Sequence, residues 1–160
     1  MIIKNFLTKE ECSILLNEAE TSKKWKQQNL EGNIFVTPSN NHKLMIEIYK
    51  KVSKLFDSNF QTQMIRMIHR TDRDSIWSEH SDYAGGRNIE YGVIIYLNDN
   101  FDGGELVYPN SNISIKPETG MLVYHKGNER HFVSKVRSGK RYTLTSFIRS
   151  PIAKIPGIGV

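Results

Sequence analysis

Residues 90–109 read EYGVIIYLNDNFDGGELVYP. The run from Tyr91 to Leu97 is dense in β-branched and aromatic side chains, and Leu106 to Tyr108 repeats that character. Between them, Asn98 to Gly104 supplies Asn, Asp and Gly, the residues that close turns. The stretch is strand, turn, strand. The same grammar extends outward. QMIRMIHR (63–70), NISIKP (112–117), GMLVYH (120–125), HFVSKV (131–136) and RYTLTSFIR (141–149) are short strand-like runs separated by PNSN, PETG, KGNE and RSGK.

Upstream of residue 60 the pattern is helical. TKEE (8–11) is a capping box, with Thr8 as N-cap and Glu11 at the third helical position, and Phe6 or Leu7 is placed to staple it. It predicts a helix over 9–21 with Ile14, Leu15 and Ala19 on one face. A second helix is expected over 41–57, with Leu44, Ile48, Val52, Leu55 and Phe56 as its stripe. Between them, NLEGNIFVTPSN (29–40) places a Gly-Asn turn between two extended pieces. Two helices followed by about seven or eight strands imply an α+β fold. The helices pack on one side of a β-sandwich or barrel, and a double-stranded β-helix (jelly roll) is the expected closure.

The 160 residues suit one domain, 1–160, with a real core. Charged residues make up 24% and apolar residues 38%, which excludes a disordered chain. No apolar run approaches the roughly 18 residues of a membrane span. The charged, helix-like segment comes early, so no signal peptide is expected in the start MIIKNFLTKEEC. The single cysteine, Cys12, excludes an internal disulfide and fits a reducing, cytoplasmic setting, where it reads as a buried apolar residue. The net charge of +5 comes from scattered lysines and arginines, so it gives no nucleic-acid footprint by itself.

SIWSEHSDYAGG (75–86) holds His80 and Asp82 two residues apart. In an extended chain such residues share a face. A polar surface loop is one reading. The other is two-thirds of an iron(II) site built from two histidines and a carboxylate. The third ligand would then be a distant histidine. His131 opens a strand after a polar turn and is the best placed. His125 competes, although Lys126 beside it is unfavourable near a cation. His69 reads as a hydrogen-bonded strand residue and His42 as a solvated helix start. Along the last strand, Arg141, Thr143 and Thr145 share a face. An inward arginine needs an anion; the alternative is a surface arginine beside Lys140.

Taken together, His80-x-Asp82, YLNDNFDGGELVYP, PETGMLVYH, His131 and VSKVRSGKRYTLTSF resemble the prolyl 4-hydroxylase-like branch of the iron(II), 2-oxoglutarate-dependent oxygenases. NFLTKEECSILLNEAE resembles the first helix of that branch, so the likeness spans roughly residues 3–149. It implies a double-stranded β-helix with His80, Asp82 and His131 as iron ligands. It implies Arg141 as the partner of the far carboxylate of 2-oxoglutarate, with Tyr96, Thr143, Thr145 and His69 near the cosubstrate. Gly103 and Gly104 permit a tight turn and need touch nothing. The sequence departs from the pattern at MIHRTDRDSIW (67–77), where His69 stands near the place of a tyrosine.

The implied activity is hydroxylation of a C–H bond using Fe(II), 2-oxoglutarate and O2, with release of succinate and carbon dioxide and with ascorbate as a stimulant. A prolyl residue in a peptide or protein is the expected substrate, taken at a mouth formed by residues 27–40 and 81–90. Trp77 is expected in the core or, with Tyr83, at that mouth. No membrane partner is expected. Nucleic-acid demethylation by the same chemistry is the rival reading. It is disfavoured because the next arginine, Arg149, comes later than that branch's second arginine. A non-catalytic barrel that binds a metal or small molecule is the other.

Overall fold

In the computed structural model, described for residues 1–29, 33–63, 65–83 and 88–151, β1 (Ile2–Ile3) leads into helix α1 (Lys9–Thr21). Strands β2 (Lys26–Asn29) and β3 (Ile34–Pro38) and helix α2 (His42–Ser53) follow. Then come β4 (Gln61–Thr62), β5 (Met67–Thr71), β6 (Trp77–His80), β7 (Ile89–Tyr96), β8 (Asp102–Gly103) and β9 (Leu106–Tyr108). The chain ends with β10 (Ile113–Ile115), β11 (Leu122–Lys126), β12 (His131–Val133), β13 (Val136–Ser138) and β14 (Arg141–Arg149).

The capping box forms as read: the Glu11 N–H donates to Thr8 Oγ1 at 3.1 Å, and the Thr8 N–H donates to Glu11 Oε2 at 2.8 Å. The buried stripe of α1 is Cys12, Leu15 and Ala19. Ile14 is 43% exposed, because position 14 lies more than a quarter of a turn off that stripe. Helix α2 stops at Ser53, short of the expected 57, and a tighter turn carries Leu55 N–H to the Val52 carbonyl. Leu55 and Phe56 still pack on the core from that turn. The Gly32-Asn33 turn lies partly outside the described residues.

Among the described residues all sheet pairings are antiparallel. The large sheet runs β1-β11-β7-β14-β5-β3-β2, with β4 also on β14. The small sheet runs β10-β9-β12-β6, and β8 pairs with β13. The N-terminal segments thus supply edge strands to the large sheet, beyond the strands expected after residue 60. Alternation along β7 and β14 divides the core in two. Val93, Ile95, Leu144 and Ile148 face the helices and join Leu15, Ala19, Ile48 and Val52. Tyr96 faces the small sheet and joins Leu106, Tyr108, Val123 and Val133. Helices on one face and a second sheet on the other make the double-stranded β-helix, with the inner faces free to hold a site. Among the described residues no helix is long and apolar enough to cross a membrane.

Candidate active site

His80 closes β6 and His131 opens β12, and the two are direct cross-strand partners. Their rings lie 4.4 Å apart, centre to centre. Asp82 follows two residues after His80 and turns the same way, so its Oδ1 lies 3.7 Å from His80 Nε2 and 3.9 Å from His131 Nε2. The potential ligand atoms of the three residues all lie within 4.8 Å of one another.

Backbone carbonyls orient both rings. His80 Nδ1 meets the Ser78 carbonyl at 2.7 Å, and His131 Nδ1 meets the Glu129 carbonyl at 2.9 Å. A carbonyl only accepts, so each Nδ1 carries the proton and each Nε2 keeps its lone pair for the centre of the site. Burial, reinforced by neighbouring His125, pushes His131 down to about 4, so it is neutral at neutral pH. Burial raises the Asp82 carboxyl, but the hydrogen bond and charge of His125, with His131 and His80, outweigh it and hold Asp82 below its usual range.

These residues line one cavity of about 460 Å³, whose far wall is the inner face of β14: Arg141, Thr143, Thr145 and Phe147. Arg141 is 3% exposed. Its guanidinium lies 5.1 Å from the centre of the Tyr96 ring. Arg141 Nε and the Tyr96 hydroxyl are buried and have no hydrogen-bond partner among the described residues. Gly104 has φ +68°, and a Cβ there would sit 3.1 Å from Arg141 Cδ. This glycine therefore makes room for the arginine as well as the turn, contrary to the expectation that it touches nothing.

His69 lies on β5, is paired in register with Thr143 and also lines the cavity. Burial, then the Arg141 charge, lowers it to about 4. Trp77 lines the cavity and packs on the inner core, with its indole N–H 3.3 Å from Thr71 Oγ1. Tyr96 lies beside Arg141, with its ring centre 5.1 Å from the guanidinium. Tyr83 is 51% exposed and borders a separate surface groove. His42 is exposed at the start of α2, as expected. Within the expected mouth, residues 30–32 and 84–87 lie outside the described residues.

His125 stands closer to the centre than its sequence context suggested. Its Nε2 lies 3.0 Å from Asp82 Oδ2, and its Nδ1 lies 2.9 Å from the Tyr108 hydroxyl. Lys126 is no obstacle: adjacent strand residues point to opposite faces, and Lys126 is exposed while His125 is buried. The alternation of Val123 and His125 on β11 was the available signal for this placement.

The chain is similar in structure to a viral collagen prolyl hydroxylase from Paramecium Bursaria Chlorella virus-1, at 17% identity and a TM-score of 0.75, covering 95% of this chain and 96% of that one. It is similar to a prolyl-4-hydroxylase from Pseudomonas putida at 16% identity and a TM-score of 0.72, covering 95% and 92%. A prolyl hydroxylase from Trichoplax adhaerens, in complex with a hypoxia inducible factor oxygen degradation domain peptide fragment, matches at 18% identity and a TM-score of 0.75, covering 94% and 83%. These identities speak for the fold. No curated protein matches the sequence. The model of the 2OG-Fe(II) oxygenase superfamily matches residues 63–149, more than half of the 160. That span contains His80, Asp82, His131 and Arg141, and the chain belongs to this superfamily.

Proposed function

We propose that residues 1–160 act as a single iron(II)- and 2-oxoglutarate-dependent dioxygenase domain that hydroxylates a prolyl residue in a peptide or protein. The family implies Fe(II), 2-oxoglutarate and O2. The residues present fit those groups. Two imidazole nitrogens and one carboxylate oxygen on one side of a centre suit Fe(II) and leave other positions open. The observation that carries the reading is Arg141: a buried guanidinium with an unpaired Nε, on the wall of the cavity that holds the triad. A buried cation of this kind calls for an anion.

His80, Asp82 and His131 would hold the metal. Arg141 would take the far carboxylate of 2-oxoglutarate in a charge-assisted pair. The hydroxyls of Thr143 and Thr145 offer further hydrogen bonds on the same face. His69, neutral at neutral pH, adds no second positive charge to compete with Arg141 for the anion. When bound, iron with 2-oxoglutarate and O2 supplies the oxidation that turns a substrate C–H into C–OH, leaving succinate and carbon dioxide. Trp77, Val133 and Phe147 give the cavity an apolar wall that excludes water from the reacting bond.

The prolyl assignment is supported by the sequence likeness to the prolyl branch and by structural similarity to three prolyl hydroxylases, one carrying a peptide. Arg149 also fits no nucleobase role: its Nη2 lies 3.4 Å from Gln63 Oε1, and it does not line the cavity. The test is mass spectrometry of proline-containing peptides incubated with the protein, Fe(II), 2-oxoglutarate and ascorbate. One added oxygen on proline is the expected result. Demethylated DNA with no hydroxylated peptide would overturn the substrate assignment.

A further inference from the structure

The Asp82 carboxylate is divided between two tasks. Oδ1 faces the Nε2 atoms of His80 and His131, while Oδ2 is turned to His125 Nε2 at 3.0 Å. An ionised carboxylate only accepts, so His125 Nε2 carries the proton. In the neutral ring His125 Nδ1 is then an acceptor, and the Tyr108 hydroxyl, 2.9 Å away, donates to it. Both ring nitrogens of His125 are thereby engaged, and neither is left for a metal.

The backbone makes room for this arrangement. Gly92 on β7 is the cross-strand partner of His125 on β11. A Cβ at position 92 would collide with Asp82 Oδ2 and stand 2.7 Å from His125 Nε2. Only a glycine lets the carboxylate and the imidazole meet against the strand. His125 is also packed against the ligand set, with its ring 4.1 Å from that of His131.

We propose that His125 is a positioning residue for Asp82, fixed in its tautomer by Tyr108 and admitted by Gly92, which holds Asp82 as a one-oxygen metal ligand. The inference rests on the metal-centre reading above. It gives the chain a Tyr108–His125–Asp82 chain of hydrogen bonds behind the metal. With Oδ2 retained by His125, Asp82 occupies a single metal position, which leaves room for a chelating cosubstrate. Partners of this kind commonly contribute roughly 10–100-fold to metal affinity.

The test is Mn(II) binding to the whole chain, followed by electron paramagnetic resonance of the free ion, with no turnover required. His125→Phe, His125→Gln, Tyr108→Phe and His131→Ala are compared with the wild type, and a metal-free thermal melt of each reports folding. The expected result is a weakening of roughly 10–100-fold in His125→Phe. His125→Gln, whose amide can donate to Oδ2, recovers most of it, and Tyr108→Phe shows a smaller loss in the same direction. If His125→Phe fails to fold, the Gln and Tyr108→Phe variants carry the test. Wild-type affinity in His125→Phe would overturn the proposal. So would a loss in His125→Gln as complete as in His131→Ala, because His125 would then be a ligand. A wild-type chain that binds no Mn(II) would instead overturn the metal-centre reading itself.

Discussion

His80 and His131 stand directly opposite each other on β6 and β12, although 50 residues of chain separate them (131 − 80 − 1). Strand pairing therefore places two imidazoles on one face, and Asp82 reaches them from the turn after β6. Replacing His80, Asp82 or His131 by Ala is expected to weaken metal binding by more than about 100-fold, beyond the range of an outer partner. Calorimetric titration with Mn(II) checks this, with His42→Ala, at the exposed start of α2, as the unaffected control.

Arg141 brings a second measurable handle. Arg141→Ala should weaken 2-oxoglutarate binding by one to two orders of magnitude, as expected for loss of a charge-assisted hydrogen bond of roughly 1.5–3 kcal/mol. Equilibrium dialysis with labelled 2-oxoglutarate in the presence of Mn(II) measures it. An unchanged affinity would mean that the buried guanidinium serves some other anion.

Acid should destabilise the metal-free protein, and His69 is one named cause. Its pKa is about 4 in the folded chain against 6.5 as the ordinary value, so the unfolded chain binds more protons between these pH values. Stability from this group is complete above about pH 6.5 and is lost as pH falls towards 4. The full span amounts to on the order of 3 kcal/mol. Denaturant melts of wild type and His69→Asn across that window are expected to show a shallower pH slope in the variant.

The capping box at α1 is a stability device away from the site. Thr8→Ala removes the acceptor for the Glu11 N–H and should cost about 1 kcal/mol, lowering the melting temperature by about 3 °C. Metal affinity should be unchanged, since α1 packs on the outer face of the large sheet.

What could be read from the sequence was local. Thr8 and Glu11 announce α1 within four residues, and the alternation of Arg141, Thr143 and Thr145 announces the inner face of β14. What stayed hidden depends on pairing between distant strands. His125 becomes meaningful only once β11 lies beside β7 and Gly92 leaves space for it. Judging His125 by Lys126, its neighbour in sequence, failed because a strand sends neighbours to opposite faces. The β1–β11 pairing, Ile2 against Val123, has no local signal at all. Ile14 is the converse case: it is apolar and next in sequence to buried Leu15, yet it points away from the stripe, and an isolated exposed apolar side chain is ordinary.

On the proposed reading, one cavity holds Fe(II) on His80, Asp82 and His131 and 2-oxoglutarate on Arg141. An anaerobic titration of the wild-type chain with Fe(II) and then 2-oxoglutarate tests it most directly by visible absorption. The expected result is a metal-to-ligand charge-transfer band that needs both additions, saturates at one equivalent of iron per chain, and is lost in His131→Ala. A wild-type chain that takes up neither component, or that gives the same spectrum as His131→Ala, would rule out this metal and cosubstrate site.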